Sequence, residues 1–546
     1  MNGDQRRSRS EGESSKAGAD SSLEYRRLRV PVDSGRSLQI PPLSETVSGW
    51  TNRTSPANDV EVGGRRLGAL KQQARSELLE LASQYTSLYR DVKLSQQDNR
   101  PVIMSGHQPL LFHPGVWFKN FALSSIGAAV GATSVNMVVD NDVCGPATIK
   151  CPSFNNGKAS TSLIDIDAPA AMMPYEMRSI VDESLFASFA DRANKRMNDC
   201  CSSVGRSFDP LVTRLWEHVK SVRKSLGDST SLGAILAAGR HRLEAEVGLQ
   251  TLEVPVSSIA QTEAFCHFAA TTMSEQGRFN DSYNARLLEY RLLHGIRSSS
   301  HPVPELEQVD GWMETPFWVW DDDQPQRRRL FLKESGNIIT LTDRAGWELP
   351  TEAASLASTL AGLSGQNVSI RPRALITTLY SRFVLSDLFL HGIGGAKYDQ
   401  LTDVIADDFF GATLPSFSTM TATMHLPFGF PVAKQSTLSQ IRQQIRQRKF
   451  HPERFIDSNE TESWVAKKMA AIADESSKRK ERHHEIETAN RMLQPFVSND
   501  IRSLESELAE VREKIETSRI LNSREYSFCL FDESLVGELR QLVETS

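Results

Sequence analysis

Apolar positions follow a strand–helix–strand pattern between residues 102 and 142. Val102-Ile103-Met104 is a short run typical of a β-strand, residues 116 to 130 are apolar at helical spacing after Pro114, and residues 134 to 139 form a second β-type run. Proline fits the first turn of a helix because its missing N–H would be unpaired there. A strand, a helix and a strand within about 40 residues make a βαβ unit with parallel strands. The pattern therefore predicts an α/β fold with a Rossmann-like parallel-sheet core.

Other runs predict elements around this core. Residues 65 to 91 have helical spacing, residues 375 to 390 indicate a buried helix or a helix plus a strand, and a helix is expected from about 398 to 410. Three alternating runs between residues 316 and 342, separated by turn residues, predict a small β-hairpin insert.

Composition divides the chain into three regions. Residues 1 to 60 are expected to be a disordered N-terminus followed by an extended arm, since residues 1 to 22 contain almost no apolar side chains. Residues 61 to 430 would form the Rossmann-like core with helical and β insertions. Residues 431 to 546 would form a helical coiled-coil region.

A heptad pattern defines the C-terminal region. Its apolar positions step by three and four residues, as in a coiled-coil seam: Ile501, Leu504, Leu508, Val511 and Ile515. A second charged helix is predicted over residues 460 to 493, with Pro495 and residues 498 to 500 as the connection. The pair would form a helical hairpin that either builds a homodimer or folds back on its own chain.

The βαβ unit carries the first group of candidate site residues. Parallel sheets bind ligands at the carboxyl ends of their strands, and helix N-termini favour anions. The candidates there are Ser105, Gly106, His107, Gln108, His113, Gly115, Lys119, Asn120, Asp140, Asn141 and Asp142. His107 and His113 are expected to stabilise a phosphate or an oxyanion. Asp140 and Asp142 are expected to hold Mg²⁺ or the incoming amine. Alternatively, His113 only caps the helix, and the aspartates only solvate a strand end.

A second group follows the apolar run 375 to 390. It consists of His391, Gly392, Gly394, Gly395, Lys397, Tyr398 and Asp399. Glycines allow a ligand to approach the backbone closely. Lys397 would neutralise a substrate anion, Tyr398 would stack on a ring, and Asp399 would orient the lysine or a substrate hydroxyl. Alternatively, the segment is a helix cap followed by the next helix, with Lys397 exposed.

Composition narrows the class of protein. The 546 residues carry a net charge of −6, which argues against generic nucleic-acid or anionic-membrane binding. No apolar run reaches the roughly 18 residues of a membrane span, and the N-terminus lacks a secretory apolar segment. Six scattered cysteines without paired spacing indicate a reducing compartment, so a cytoplasmic protein is expected.

Several short motifs resemble one enzyme family. Ser105-Gly106-His107-Gln108, Glu289-Tyr290-Arg291, Arg371-Pro372-Arg373, Leu379-Tyr380 and Gly394-Gly395 occur in the order seen in the bacillithiol cysteine-adding enzymes (BshC-like), ligases that join cysteine to an amino-sugar conjugate. The chain departs from the family at His107, where the family has a glutamine, and at Lys397, which aligns with a glutamate. The resemblance implies a Rossmann-type core and a coiled-coil arm used for dimerisation.

The resemblance leads to one main functional hypothesis. It implies a ligase that joins an amino acid to an amino-sugar-type acceptor, and forming an amide from a carboxylate requires activation, for which we expect ATP and Mg²⁺. Two alternatives are a nucleotidyltransferase of the His-x-Gly-His type, because two histidines lie at the start of the helix that follows the first strand, and a non-enzymatic coiled-coil scaffold with a degenerate pocket. The expected partners are small-molecule substrates and a second copy of the chain.

Overall fold

The computed structural model describes residues 23–25, 28–52, 59–92, 100–155, 158–297, 303–431, 435–456, 459–474, 476 and 478–545. The N-terminal segment 1–22, for which disorder was predicted, lies outside these residues. The strands are β1 Arg36–Ile40, β2 Glu61–Val62, β3 Arg65–Arg66, β4 Val102–His107, β5 Thr133–Val138, β6 Val143–Cys144, β7 Thr148–Asn155, β8 Lys158–Asp165, β9 Met173–Pro174, β10 Leu252–Pro255, β11 Gln308–Val309, β12 Trp312–Asp321, β13 Arg328–Ser335, β14 Ile338–Thr342, β15 Glu348–Glu352, β16 Val368–Pro372, β17 Leu388–His391 and β18 Phe417–Thr423.

Helices occupy most of the remaining chain. The α-helices are α1 Leu43–Ser48, α2 Leu67–Ser87, α3 Pro114–Val130, α4 Glu183–Ala187, α5 Phe189–Ser203, α6 Val212–Leu226, α7 Leu232–Glu246, α8 Val256–Ile259, α9 Glu263–Ser274, α10 Gln276–His294, α11 Leu356–Gly362, α12 Ala374–Tyr380, α13 Ile393–Phe410, α14 Gln435–Phe450, α15 Glu462–Ala473, α16 Arg479–Leu521 and α17 Ser534–Glu544. A π-helical turn, Ser381–Leu385, connects α12 to the segment before β17. No helix in the described ranges is both long and apolar enough to cross a membrane.

The central sheet has six strands in the order β1-β18-β17-β4-β5-β10. All neighbours are parallel except β1, which pairs antiparallel with β18. Numbered by their place in the chain, the five parallel strands run 3-2-1-4-5 across the sheet, which is the order of doubly wound nucleotide-binding sheets. The predicted mixed α/β fold with a mostly parallel sheet is confirmed, and the strand order is compatible with a Rossmann-like core.

Alternating residues of the strands enter two apolar clusters on opposite faces of the sheet. Ile103 and Leu390 pack with α3 on one face, while Met104 and Phe389 belong to the cluster around α2, α12 and α13 on the other. Strands that are buried on both faces appear in the sequence as continuous apolar runs, which is why β4 was predicted, whereas the run from 375 to 390 fitted a helix as well as a helix plus a strand.

The β insert is larger than predicted. Strands β11 to β16 form one antiparallel six-stranded sheet, in which β16 returns to pair with β12. Phe317, Leu330 and Leu341 of this sheet join the apolar cluster that contains α9 and α12. The prediction of a small hairpin was wrong because β15 adds a further strand beside β14, and β16 pairs with β12, which is distant in the sequence.

The predicted hairpin between residues 460 and 515 is also wrong. Helix α16 runs without a break through Pro495 for 43 residues. An internal proline costs about 3 kcal/mol, but one continuous helix keeps Leu493, Val497 and Ile501 in a single buried stripe, which offsets that cost. The heptad seam packs against α14 of the same chain through Ile441 and Ile445.

The helical region also ends earlier than predicted. Tyr526, Phe528, Leu535 and Leu539 are buried in the cluster that contains α3, so the segment after α16 belongs to the core. The expected extended arm near the N-terminus is present as β1 at the edge of the central sheet.

Candidate functional site

The two motif segments meet at adjacent strands of the central sheet. Leu390 of β17 pairs with Ser105 of β4, so His391 and His107 end neighbouring parallel strands. Helix α3 leaves β4 toward one face of the sheet, and α13 leaves β17 toward the other. This reversal is the topological switch point at which open parallel sheets bind ligands. We call the space between the ends of β4 and β17 the switch crevice.

The start of α3 is closed. His113 is its N-cap, and its Nδ1 accepts a hydrogen bond from the Gly115 N–H at 3.1 Å. A side-chain carbon at Gly115 would lie 2.3 Å from the carbonyl oxygen of Ala422 and 2.5 Å from Arg524 Nη2. Burial and nearby Arg524 lower the pKa of His113 to about 4, so the ring is neutral and can accept. His113 and Gly115, expected to face a ligand, therefore fasten α3 to β18.

The start of α13 is open. This helix begins at Ile393 rather than near Tyr398, so Gly394 and Gly395 form its first turn. Among the described residues no side chain caps this turn. A carbon added at Gly392 or at Gly394 would meet no atom within 4 Å. Unpaired N–H groups at the positive end of an 18-residue helix, with free space before them, suit an anion.

A buried ion pair supports the open turn from below. Asp399 Oδ2 accepts from His391 Nε2 at 2.8 Å and from Arg382 Nη1 at 2.7 Å. Burial would raise the pKa of Asp399, but Arg382 and His391 lower it below its ordinary value. Gly395 is required here, because a side-chain carbon would lie 2.6 Å from His391 Nδ1. Asp399 therefore orients His391 rather than Lys397 or a substrate.

His107 lies at the crevice as a neutral base. Its Nδ1 is 3.1 Å from the backbone oxygen of Gln108, and Phe112 packs edge-on against the ring. Burial and the neighbouring Lys119 lower the pKa of His107 to about 3. A neutral ring that donates through Nδ1 leaves Nε2 as an acceptor. His107 is therefore neutral at ordinary pH, and its Nε2 can accept a hydrogen bond although it holds a proton only weakly.

Lys119 and Ser105 stabilise the end of β4. Lys119 Nζ donates to the Gly106 oxygen at 2.9 Å, and Ser105 Oγ donates to the Leu390 oxygen at 3.0 Å. Burial and nearby Arg240 lower the pKa of Lys119 to about 8. Gly106 packs closely on Met137, where a side-chain carbon would lie 3.1 Å from the methyl group.

The aspartates after β5 are fully engaged. Both oxygens of Asp140 accept from Ser257, and burial with nearby Glu176 raises the pKa of Asp140 to about 7. Asp142 accepts from Gln108 Nε2 at 2.9 Å, from its own neighbour Val143, and from Arg327 Nη1 at 3.0 Å. The four carboxylate oxygens thus have donors, and Arg327 already supplies a cation. The donor set does not fit Mg²⁺.

The remaining candidates divide between the crevice and other surroundings. Tyr398 is half-buried, and its pKa is raised by burial first, then by the negative charge of Asp399 and then by that of Asp142. Lys397 is exposed, as in the alternative hypothesis. Asn120 points away from the crevice and donates to Glu244 at 2.7 Å, while Asn141 donates to the Pro372 oxygen at 2.8 Å.

A buried polar layer lies behind β4 and β5. Among the described residues, His241, Glu244 and Glu253 form the one group whose ligand atoms, all within 4.8 Å, would suit a metal. Arg240 donates to both carboxylates of this group, however. The guanidinium therefore supplies the cation that balances them, and the layer is structural.

Three residues at the crevice were not predicted. Arg327 lies on the Asp142 turn, and the guanidinium carbons of Arg327 and Arg373 lie 4.8 and 4.1 Å from the ring centre of Trp318. Arg327 and Trp318 belong to the β insert, and Arg373 directly follows it. The insert packs against the turn after β5, and no local sequence pattern predicts this contact. The motif Arg371-Pro372-Arg373 is part of the family resemblance, but the resemblance assigns Arg373 no role.

Comparisons with known proteins give no assignment. The sequence matches no protein-family model, and no curated protein matches it. The resemblance to the bacillithiol cysteine-adding enzymes therefore rests on the short motifs alone.

Proposed function

We propose that the protein is a ligase that joins a carboxylate to an amine at the switch crevice, with a nucleotide activating the carboxylate. One observation carries the proposal: an uncapped, glycine-bearing helix start faces open space at the switch point of a sheet with the strand order 3-2-1-4-5. Helix starts of this kind bind phosphate groups, and a Rossmann-like core is the finer description that we propose for the sheet.

The surrounding side chains have chemistry suited to this reaction. Nε2 of the neutral His107 would accept a hydrogen bond from the amine nitrogen as it attacks the activated carbonyl carbon. The activating phosphate group would depart with the electron pair of the broken bond and take up the proton that the nitrogen loses. The first-turn N–H groups of α13 would bind the phosphate, which places them beside the departing group. Asp399 would hold His391 at the crevice floor. A bound nucleotide would supply the group that activates the carboxylate.

The nucleotidyltransferase hypothesis has less support. It requires two histidines directed at one phosphate, but His113 Nδ1 is used to cap α3. The amino-sugar acceptor and cysteine stay part of the proposal through the motif resemblance only.

Nucleotide binding tests the proposal directly. Titration calorimetry with ATP, with and without Mg²⁺, should give binding that Gly394→Glu abolishes, because the new carboxylate fills the open space with negative charge. Gly537→Glu is the matched control, since Gly537 is also a helical glycine facing open space, on α17. Absence of ATP binding to the wild type, or equal binding by both variants, would refute the proposal and favour the scaffold hypothesis.

We propose that a homodimer forms through the exposed face of the helical region rather than through the heptad seam. Leu504, Leu508 and Val511 already pack against α14, whereas Met492 and Phe496 of α16 are about half exposed, at 45% and 47%. Light scattering should show a dimer that Phe496→Glu converts to a folded monomer. A monomeric wild type at micromolar concentration would exclude the homodimer.

The six cysteines are all free and buried, which supports a reducing compartment.

A further inference from the structure

Two arginines and a tryptophan at the β insert form a cationic cluster beside the switch crevice. Arg327 precedes β13, Trp318 lies on β12, and Arg373 is the N-cap of α12. Arg327 Nη1 is 3.4 Å from the backbone oxygen of Asn141 and 3.0 Å from Asp142 Oδ1, so the cluster contacts the turn after β5. We call these three residues the arginine clamp.

The clamp contains unpaired donors. Arg373 is 7% exposed, and its Nη2 donates to Glu314 at 2.6 Å, yet its Nε and Nη1 are buried without a hydrogen-bond partner. Nε of Arg327 is likewise buried and unpaired. Buried polar groups are nearly always hydrogen-bonded, and an unpaired one costs about 1–3 kcal/mol. Spare N–H groups on two guanidinium groups that contact the same tryptophan ring indicate that an acceptor with negative charge binds at this cluster.

An unpaired acceptor lies beside these donors. Asn141 is 4% exposed and donates through Nδ2 to the Pro372 oxygen, but its Oδ1 is buried without a partner. Pro372 precedes Arg373, so this oxygen lies next to the clamp. Trp318 and Arg327 are only partly buried, whereas Arg373 is buried. A ligand would therefore reach Arg373 past Trp318 and Arg327.

We propose that the arginine clamp binds the carboxylate group of a small-molecule substrate, and that Asn141 Oδ1 accepts a hydrogen bond from a donor on the same molecule. Guanidinium N–H groups form strong charge-assisted hydrogen bonds with a carboxylate, and Nε and Nη1 of Arg373 are the donors left for it. The phosphate-binding role already belongs to the start of α13, across the crevice. This inference rests on the proposed function, since it names the group by which that ligase holds its carboxylate substrate.

The decisive measurement compares two arginines that share one partner. Arg373→Lys keeps the positive charge beside Glu314 but removes the guanidinium group, while Arg329→Gln removes an exposed arginine that also contacts Glu314, at 3.2 Å. Calorimetry with malonate as the probe should show affinity lowered about tenfold or more by Arg373→Lys and changed less than about twofold by Arg329→Gln.

Further variants and probes separate the outcomes. Arg327→Gln, at the more exposed entrance, should weaken malonate binding as well and serves if Arg373→Lys does not fold. Malonate binding that neither Arg373→Lys nor Arg327→Gln changes would overturn the inference. A result in which these variants lose binding of pyrophosphate but keep binding of malonate would also overturn it. ATP binding by the wild type, measured separately, reports on the proposed function, so malonate insensitivity with intact ATP binding refutes the clamp alone.

Discussion

The helices α3 and α13 follow neighbouring parallel strands, yet their N-termini differ. At α3, His113 caps the first turn and Gly115 lies against β18 and Arg524. At α13, the first turn has no side-chain cap among the described residues, and Gly392 and Gly394 face open space. Gly115 therefore allows close packing at the start of α3, whereas Gly392 and Gly394 leave space for a ligand at the start of α13. Equal topology does not give equal function, because the contacts of the first turn decide whether its N–H groups are available.

The largest expected effect tests the support beneath α13. Asp399→Asn removes the carboxylate charge between Arg382 and His391, leaving a buried guanidinium partly uncompensated, so the free energy of unfolding should fall by about 3–5 kcal/mol. Urea denaturation measures this. Asp322→Asn, at an exposed turn position, is the control and should change stability by less than about 0.5 kcal/mol. A loss below about 1 kcal/mol in Asp399→Asn would show that the ion pair does not support the turn.

The next prediction compares the two glycines directly. Gly115→Ala forces a methyl group against the Ala422 oxygen and should destabilise the protein by about 1–3 kcal/mol. Gly394→Ala adds a methyl group in open space within a helix and should stabilise it by about 0.5–1 kcal/mol. Thermal and urea unfolding of both variants measure the signs. If both changes had the same sign, the contrast between a closed and an open helix start would be wrong.

A third prediction concerns His107 and pH. Its folded-state pKa is about 3, below the ordinary value near 6.5. At pH values between about 3 and 6.5 the folded protein therefore binds fewer protons than the unfolded chain. The resulting stability is present above about pH 6.5 and is lost as the pH falls toward 3. His107→Gln should therefore lose less stability than the wild type between pH 7 and pH 4, about the range between these pKa values. Parallel stability curves for the two proteins would contradict the buried, neutral imidazole.

The smallest effect is expected at Lys397. The side chain is exposed on α13, although its backbone oxygen accepts from Tyr290 at 2.6 Å. Lys397→Glu restores the charge found in the resembled family, and it should change stability by less than about 0.5 kcal/mol and ATP affinity by less than about twofold. A larger loss of affinity in calorimetry would extend the anion site to the second turn of α13.

Sequence reasoning recovered the parts of the site that depend on local pattern. It located β4, α3 and β5 to within a few residues and identified the glycine-bearing segment after β17, because apolar runs and glycines act within one element. It misplaced the roles of His113, Asn120 and Asp399. Their partners are Gly115, Glu244 and Arg382, and which of several nearby polar groups a side chain meets depends on packing.

The sequence by itself determined the α/β class, the parallel βαβ unit and the apolar seam of α16, since each follows from the spacing of apolar residues along one segment. Only the tertiary structure decided which helix start is open, because Gly115 is closed by Ala422 and Arg524, more than 300 residues away. The partner of the heptad seam is likewise decided only by the tertiary structure. The seam pattern requires that Leu504 and Leu508 be buried, but it does not identify the surface that buries them. Helix α14 supplies that surface, and the continuous stripe through Val497 and Ile501 keeps α16 helical across Pro495.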